Sequence, residues 1–181
     1  MTPDATYTMK LIEQVSEWLS GHGKKPSLLL FGGVGNGKTT MAVAIGRVLS
    51  TLSRTAKDNV EPQSNVVRVG PFASIPSPFF VTASQLVSAC SNDNAVGDAL
   101  AGKGLLIIDD LGCEPVVAKT FGTETTPIID IITKRYAAMQ PTIITTNLDP
   151  NGIIERYGIR VYDRILETFE SIAFESKSYR N

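Results

Sequence analysis

The sequence predicts an α/β fold, a mostly parallel sheet with helices on both faces. Three observations predict it. Short runs made almost wholly of apolar or β-branched residues recur at Ser27–Phe31, Phe79–Val81, Leu105–Ile108, Thr142–Thr146 and Ser171–Phe174, as strands buried on both faces require. Segments with apolar residues at helical spacing separate most of them. The first run passes straight into a glycine-rich loop and then an amphipathic helix.

Met9, Ile12, Val15, Trp18 and Leu19 recur at helical spacing, and Gly21 stops that helix. Pro26 leads into the strand Ser27–Phe31. Beyond the glycine loop, Met41, Ala44, Ile45, Val48, Leu49 and Leu52 mark the apolar face of a second helix. Residues 53–78 are polar and rich in Pro and Ser, with Val66-Val67-Arg68-Val69 inside, and the pattern admits a loop or a short added strand. Phe79–Val81 reads as a strand and Ser84–Cys90 as a helix. Leu105–Ile108 is a continuous apolar strand that ends in Asp109-Asp110. Ile128, Ile131, Ile132, Tyr136 and Met139 mark a further helix, followed by the strand Thr142–Thr146 with Asn147 at its end. Val161, Ile165, Leu166 and Phe169 give the last helix and Ser171–Phe174 the last strand. Trp18 and Tyr136 read as packing residues, Lys134 and Arg135 as an ordinary polar helix face, and His22 as a solvent-facing turn residue. There is no internal repeat, so the chain reads as one domain, 1–181, with a leading helix and linker at 1–25 and the core at 26–181.

Of the 181 residues, 43% are hydrophobic and 19% charged, enough to build a core. Seventeen Lys and Arg against 18 Asp and Glu leave a net charge of -1, which argues against a strongly basic nucleic-acid-binding domain. Cys90 and Cys113 are far apart and in no ligand spacing, which suits a reducing compartment. The first residues carry no apolar signal core, and no stretch approaches the ~18 apolar residues of a membrane span. A cytoplasmic protein with no membrane partner is expected.

Gly32-Gly33-Val34-Gly35-Asn36-Gly37-Lys38-Thr39 fits G-x-x-x-x-G-K-[ST]. Glycines let successive backbone N–H groups turn inward onto phosphate oxygens, and the helix that follows adds its positive end. Lys38 is expected on the β- and γ-phosphates of ATP, and the Thr39 hydroxyl on Mg2+. The glycine spacing does not fit a dinucleotide-binding turn. Hydrolysis also needs a carboxylate for the Mg2+ shell and a group that orients water. Asp109 is the candidate for the first and Asp110 for the second, with Glu114 an alternative base and a simple turn cap an alternative role for Asp110. Asn147 would face the γ-phosphate if its strand lies beside the loop strand. It would otherwise start the turn Asp149-Pro150-Asn151-Gly152, and spacing alone leaves both readings open.

Taken together, these segments resemble the AAA+ ATPases, and within them the DnaC/IstB-like group of helicase loaders and transposition helper ATPases. The resemblance lies in the loop Gly32–Thr40, Leu105–Gly112, Arg135-Tyr136, Pro141–Leu148, Tyr157–Ile165 and Ser178-Tyr179-Arg180, in the family's order. It implies a three-layer P-loop fold with a five-stranded parallel sheet, and a nucleotide-binding loop extending to Thr40. It also implies that Asn147 is sensor 1. ATP would lie between self-associating subunits, completed in trans by an arginine finger at Arg164 or, second, Arg160. Spacing agrees, since both arginines share a helix face opposite Val161, Ile165 and Phe169. A solvated face, with Arg164 paired to Asp163 or Glu167, is the alternative.

The resemblance implies a replicative helicase or a transposase as partner and single-stranded DNA as a further one. Three departures stand out. Asp109-Asp110 replaces the Asp-Glu of many AAA+ proteins, so slow turnover is expected. Nothing after Phe174 would build a helical lid. Only one helix precedes the first strand, where helicase loaders carry a partner-gripping segment. The rival readings are a nucleotide-gated binding module that barely hydrolyses ATP and a P-loop small-molecule kinase, the latter without an arginine-rich lid segment.

Overall fold

A computed structural model describes residues 5–58, 78–92, 94–120 and 123–175. The elements run α1 (Ala5–Leu19), β1 (Ser27–Gly32), α2 (Lys38–Asp58), β2 (Phe79–Thr82), α3 (Ala83–Asn92), α4 (Asn94–Ala101) and β3 (Leu106–Leu111). There follow the hairpin β4 (Ala118–Thr120) and β5 (Thr123–Thr125), then α5 (Pro127–Ala137), β6 (Thr142–Thr146), α6 (Pro150–Tyr157), α7 (Ile159–Thr168) and β7 (Phe169–Phe174). Five strands form one sheet in the order β2-β3-β6-β1-β7. Every pairing in it is parallel.

Strand alternation sorts the apolar residues onto two faces. Leu28, Leu30, Ile107, Ile143 and Ile172 meet Leu11, Val15 and Trp18 of α1 and Ala42, Ile45 and Leu49 of α2. Leu29, Leu106, Ile108 and Ile144 point the other way, onto Leu86, Leu100, Ile128, Ile131, Ile153, Val161 and Ile165 of the later helices. Both faces of the sheet are covered, which is why its strands read as unbroken apolar runs. The α/β class and the parallel sheet expected from sequence are therefore those found, in three layers.

The structure departs from the sequence reading in several places. α4 and the hairpin were not anticipated. Asp149-Pro150-Asn151-Gly152, read as a turn, is the start of α6. The Asp149 carboxylate accepts from the Gly152 N–H at 2.7 Å, and Pro150 takes the first helical turn. Short polar residues that favour turns are also the best helix caps, so the two signals coincide. Phe169, placed on the last helix, begins β7 and is buried. Met9, Ile12, Val48 and Leu52 are exposed despite helical spacing, because each apolar stripe is wider than the surface it covers. Met139 lies beyond α5, exposed. The segment Val66–Val69 and the sequence Ser178–Arg180 fall outside the described residues.

Arg135 corrects the reading of a polar helix face. It is only 2% exposed. Its guanidinium donates to the Thr142 hydroxyl and to the carbonyls of Leu100, Ala101, Lys103, Gly104 and Pro141. Burial lowers its pKa to about 10, so it stays charged at neutral pH. The residue ties the end of α4 to the starts of β3 and β6. Lys134, by contrast, is exposed and pairs with Asp98 at 2.5 Å, as a solvated face would.

Candidate functional site

β6 lies directly between β3 and β1, so the carboxyl ends of these three strands stand side by side. The glycine loop follows β1, the acidic pair closes β3, and Asn147 follows β6. Their register places Leu30 opposite Thr145 and Ile108 opposite Ile144. The condition set on Asn147 by the sequence is met, because its strand pairs with the loop strand. Carboxyl ends of parallel strands are where open α/β sheets bind ligands.

An open cleft of about 330 Å3 occupies this edge, lined by Val34–Thr40, Asp110, Thr145 and Asn147. The loop is seated on β7. Gly32 has φ 139, and a β-carbon there would sit 2.2 Å from the Phe174 carbonyl oxygen, so only glycine fits. The same carbonyl accepts from Asn36 Nδ2 at 2.7 Å. Asn36 is 5% exposed, and its side chain is thus a strut between the loop and β7. Lys38 Nζ donates to the carbonyls of Gly32 at 2.8 Å and Gly33 at 2.6 Å. Burial lowers the Lys38 pKa, while Asp110 and Asp109 pull it back up. An ammonium held by two neutral carbonyls retains a strong affinity for anionic oxygen.

Thr39 heads α2 and donates to Asp109, at 2.9 Å to Oδ1 and 3.2 Å to Oδ2. Asp109 is 7% exposed. A bulge interrupts the β3–β6 register between Ile108 and Leu111. Within it Asp110 adopts φ 60, a left-handed conformation uncommon outside glycine. The bulge is what lets two successive acids serve one site, since regular alternation would send them to opposite faces. Asp110 Oδ1 accepts from Asn147 Nδ2 at 3.3 Å.

Glu114 is elsewhere. It is 1% exposed, accepts from the Gly112 N–H at 2.9 Å and from the Tyr157 hydroxyl, and lies 3.7 Å from Arg156. The main-chain carbonyl of Glu114 also accepts from Arg156. Glu114 does not line the cleft; it fastens the loop after β3 to α6, a partnership that no sequence pattern signals. Arg160 is exposed near the start of α7. Arg164 donates to the Thr133 hydroxyl and stacks 5.6 Å from the Tyr136 ring centre, on α5. Neither arginine lines the cleft of its own chain. Tyr136 is half-buried, its hydroxyl on Glu167 at 2.6 Å.

One site residue and one contact lie outside the sequence reading. Thr145 is 1% exposed and bonds to the acidic pair. Its only sequence signal is a hydroxyl inside an apolar strand. The loop pattern that makes Asn36 a nucleotide-binding candidate carries no hint of its tie to Phe174.

An all-parallel sheet in this order, carrying a Gly-Lys-Thr loop after its first strand and an acidic pair at the end of a strand one place removed, has the architecture of a P-loop AAA+ core. No family model matches the chain, and no curated protein matches it. Solved structures do. The DnaC helicase loader superimposes with TM-score 0.63 at 20% identity, over 96% of this chain and 93% of that one. DnaI gives TM-score 0.63 at 20% identity, over 96% and 87%. The replication initiator DnaA, solved with AMPPCP and single-stranded DNA, gives 0.56 at 15%, over 98% and 48%. At these identities the likeness establishes the fold. Among the described residues no helix is long and apolar enough to cross a membrane.

Proposed function

We propose that this chain is a slow ATPase that acts as a nucleotide-driven switch in DNA replication, in the manner of a helicase loader or primosome component. The observation that carries the reading is the convergence of Lys38, Thr39, Asp109, Asp110, Thr145 and Asn147 on the adjoining ends of three parallel strands. The fold's likeness to a helicase loader, and to an initiator solved with an ATP analogue and single-stranded DNA, supports it. A transposition helper ATPase of the IstB-like kind is the alternative setting.

In this reading the loop amides from Gly33 to Thr40 receive the phosphates. Lys38 exchanges its two carbonyl partners for β- and γ-phosphate oxygens. The donor set beside it suits Mg2+. Thr39 and Asp109 offer hard oxygen ligands, and among the described residues no group of three or more His, Cys, Asp or Glu could hold a metal by itself. A bound Mg2+ would neutralise charge on the phosphates. Asp110 orients the attacking water, with Asn147 placed to hydrogen-bond both that carboxylate and the γ-phosphate. Glu114 is not used, because both its oxygens are engaged away from the cleft. Arg164, or Arg160 at the exposed start of the same helix, reaches the site of a neighbouring copy. The partner that the switch would serve is a replicative helicase, with single-stranded DNA a second ligand.

The test is ATPase rate against protein concentration for the wild type, Lys38→Ala, Arg164→Ala and an equal mixture of the two variants. Partial rescue in the mixture is expected for a shared site. A wild-type rate equal to that of Lys38→Ala would remove the enzyme reading. One observation favours a second reading, a nucleotide-gated binder with negligible turnover. The Asp110 carboxylate is one methylene shorter than glutamate and already accepts from Asn147. Tight ATP binding with no turnover, even with single-stranded DNA present, would select it.

A further inference from the structure

We propose that Thr145 is a positioning residue that sets both carboxylates of the site with a single hydroxyl. The inference rests on the ATP reading above. Thr145 stands at the end of β6 with its side chain on the loop side of the sheet. Its hydroxyl donates to Asp109 Oδ1 at 2.6 Å and accepts from the Asp110 N–H at 2.9 Å. One hydrogen bond given and one received satisfy the hydroxyl of a residue that is itself only 1% exposed.

Each bond constrains a different part of the chemistry. Asp109 Oδ1 receives Thr145 at 2.6 Å and Thr39 at 2.9 Å, which fixes the carboxylate plane. Oδ2 takes only a longer contact from Thr39, at 3.2 Å, and would be the oxygen with capacity to spare for a bound Mg2+ and its water. The second bond holds the peptide at the bulge, where Asp110 sits at φ 60 and turns its carboxylate toward Asn147. A left-handed non-glycine residue costs energy and persists only where its surroundings over-determine it. The hydroxyl from the neighbouring strand is one such restraint. Packing does not explain the choice of threonine, since valine has the same branched shape and suits a buried strand as well. The hydroxyl is what the position selects, and outer-sphere partners of this kind typically alter metal affinity or rate about 10- to 100-fold.

The experiment measures dissociation constants for a slowly hydrolysed ATP analogue by calorimetry, with Mg2+ and with EDTA, on wild type, Thr145→Val and Thr145→Ser. Thermal unfolding is followed in parallel. We expect Thr145→Val to match wild type in EDTA and to lose about tenfold or more of the affinity gained with Mg2+. Turnover should fall by a similar factor, and Thr145→Ser should restore most of both. Equal weakening with and without Mg2+ would mean general damage to the loop and would overturn the assignment. So would a valine variant with the full Mg2+ gain and unchanged turnover. If the valine variant does not fold, Thr145→Ala puts the same question with the same outcomes. A wild type that binds no nucleotide under either condition refutes the ATP reading itself, an outcome distinct from failure at Thr145 alone.

Discussion

The strand β6 carries a polar cluster at each end, and the two ends are built on opposite principles. At its start, Thr142 meets the buried Arg135, whose donors are all taken by one hydroxyl and five carbonyls. At its end, Thr145 meets two aspartates and borders an open cleft that also holds an ammonium. The first cluster is closed: a charge is buried and its hydrogen-bonding capacity is used within the chain. The second is open. Lys38 is bound to carbonyls it can exchange, and Asp110 and Asn147 make one long contact of 3.3 Å. Saturated polar groups hold a fold together, whereas groups with capacity to spare are poised for a ligand.

Substitutions at the two ends should therefore separate activity from stability. The largest effect is expected for Lys38→Ala, a loss of turnover of about a thousandfold or more with little change in melting temperature, since a single donor to developing phosphate charge is worth that much. ATPase rate and thermal unfolding check it together. Next comes Arg135→Met, which leaves several buried carbonyls unpaired and should cost about 3 kcal/mol or more in denaturant unfolding. The folded fraction should bind nucleotide as wild type does. A stable Arg135→Met variant that had lost nucleotide affinity would reverse the comparison.

Asp110→Asn should lower turnover about 100-fold while nucleotide affinity stays within a factor of a few, as measured by single-turnover kinetics beside calorimetry. The smallest effect is expected for Glu114→Gln. The amide keeps the shape and part of the hydrogen bonding to Tyr157 and Gly112. Stability should fall by about 1–2 kcal/mol, with turnover changed less than tenfold. A collapse in rate as deep as that of Asp110→Asn would move Glu114 from the closed kind of cluster to the open kind.

Much of this was legible in the chain itself. The strands β1, β3 and β6 each centre on an apolar run, Leu28–Phe31, Leu106–Ile108 and Ile143-Ile144, which doubly buried strands require and no polar alternation obscures. The loop Gly32–Thr39 was legible because backbone geometry around phosphate demands glycine at fixed spacing, and the acids because they follow an apolar run without a break. α6 was missed because a helix cap and a turn use the same residues. Arg135 departs from the pattern because a helical arginine normally faces solvent, and most of the carbonyls that receive it come from α4 and the turn after it, more than thirty positions away in sequence.

The layers, the strand that carries the loop and the residue types gathered for phosphate chemistry can be read from the chain alone. These follow from local periodicity and from motifs whose members are neighbours in the chain. Folding adds that β6 lies between β3 and β1, that a bulge turns Asp110 toward the cleft, and that Glu114 is spent on Tyr157 while Thr145 is spent on the aspartates. Each of those is a pairing between residues more than thirty positions apart. Such partners are chosen by strand order and register, which the packing of the whole sheet fixes and no local pattern encodes.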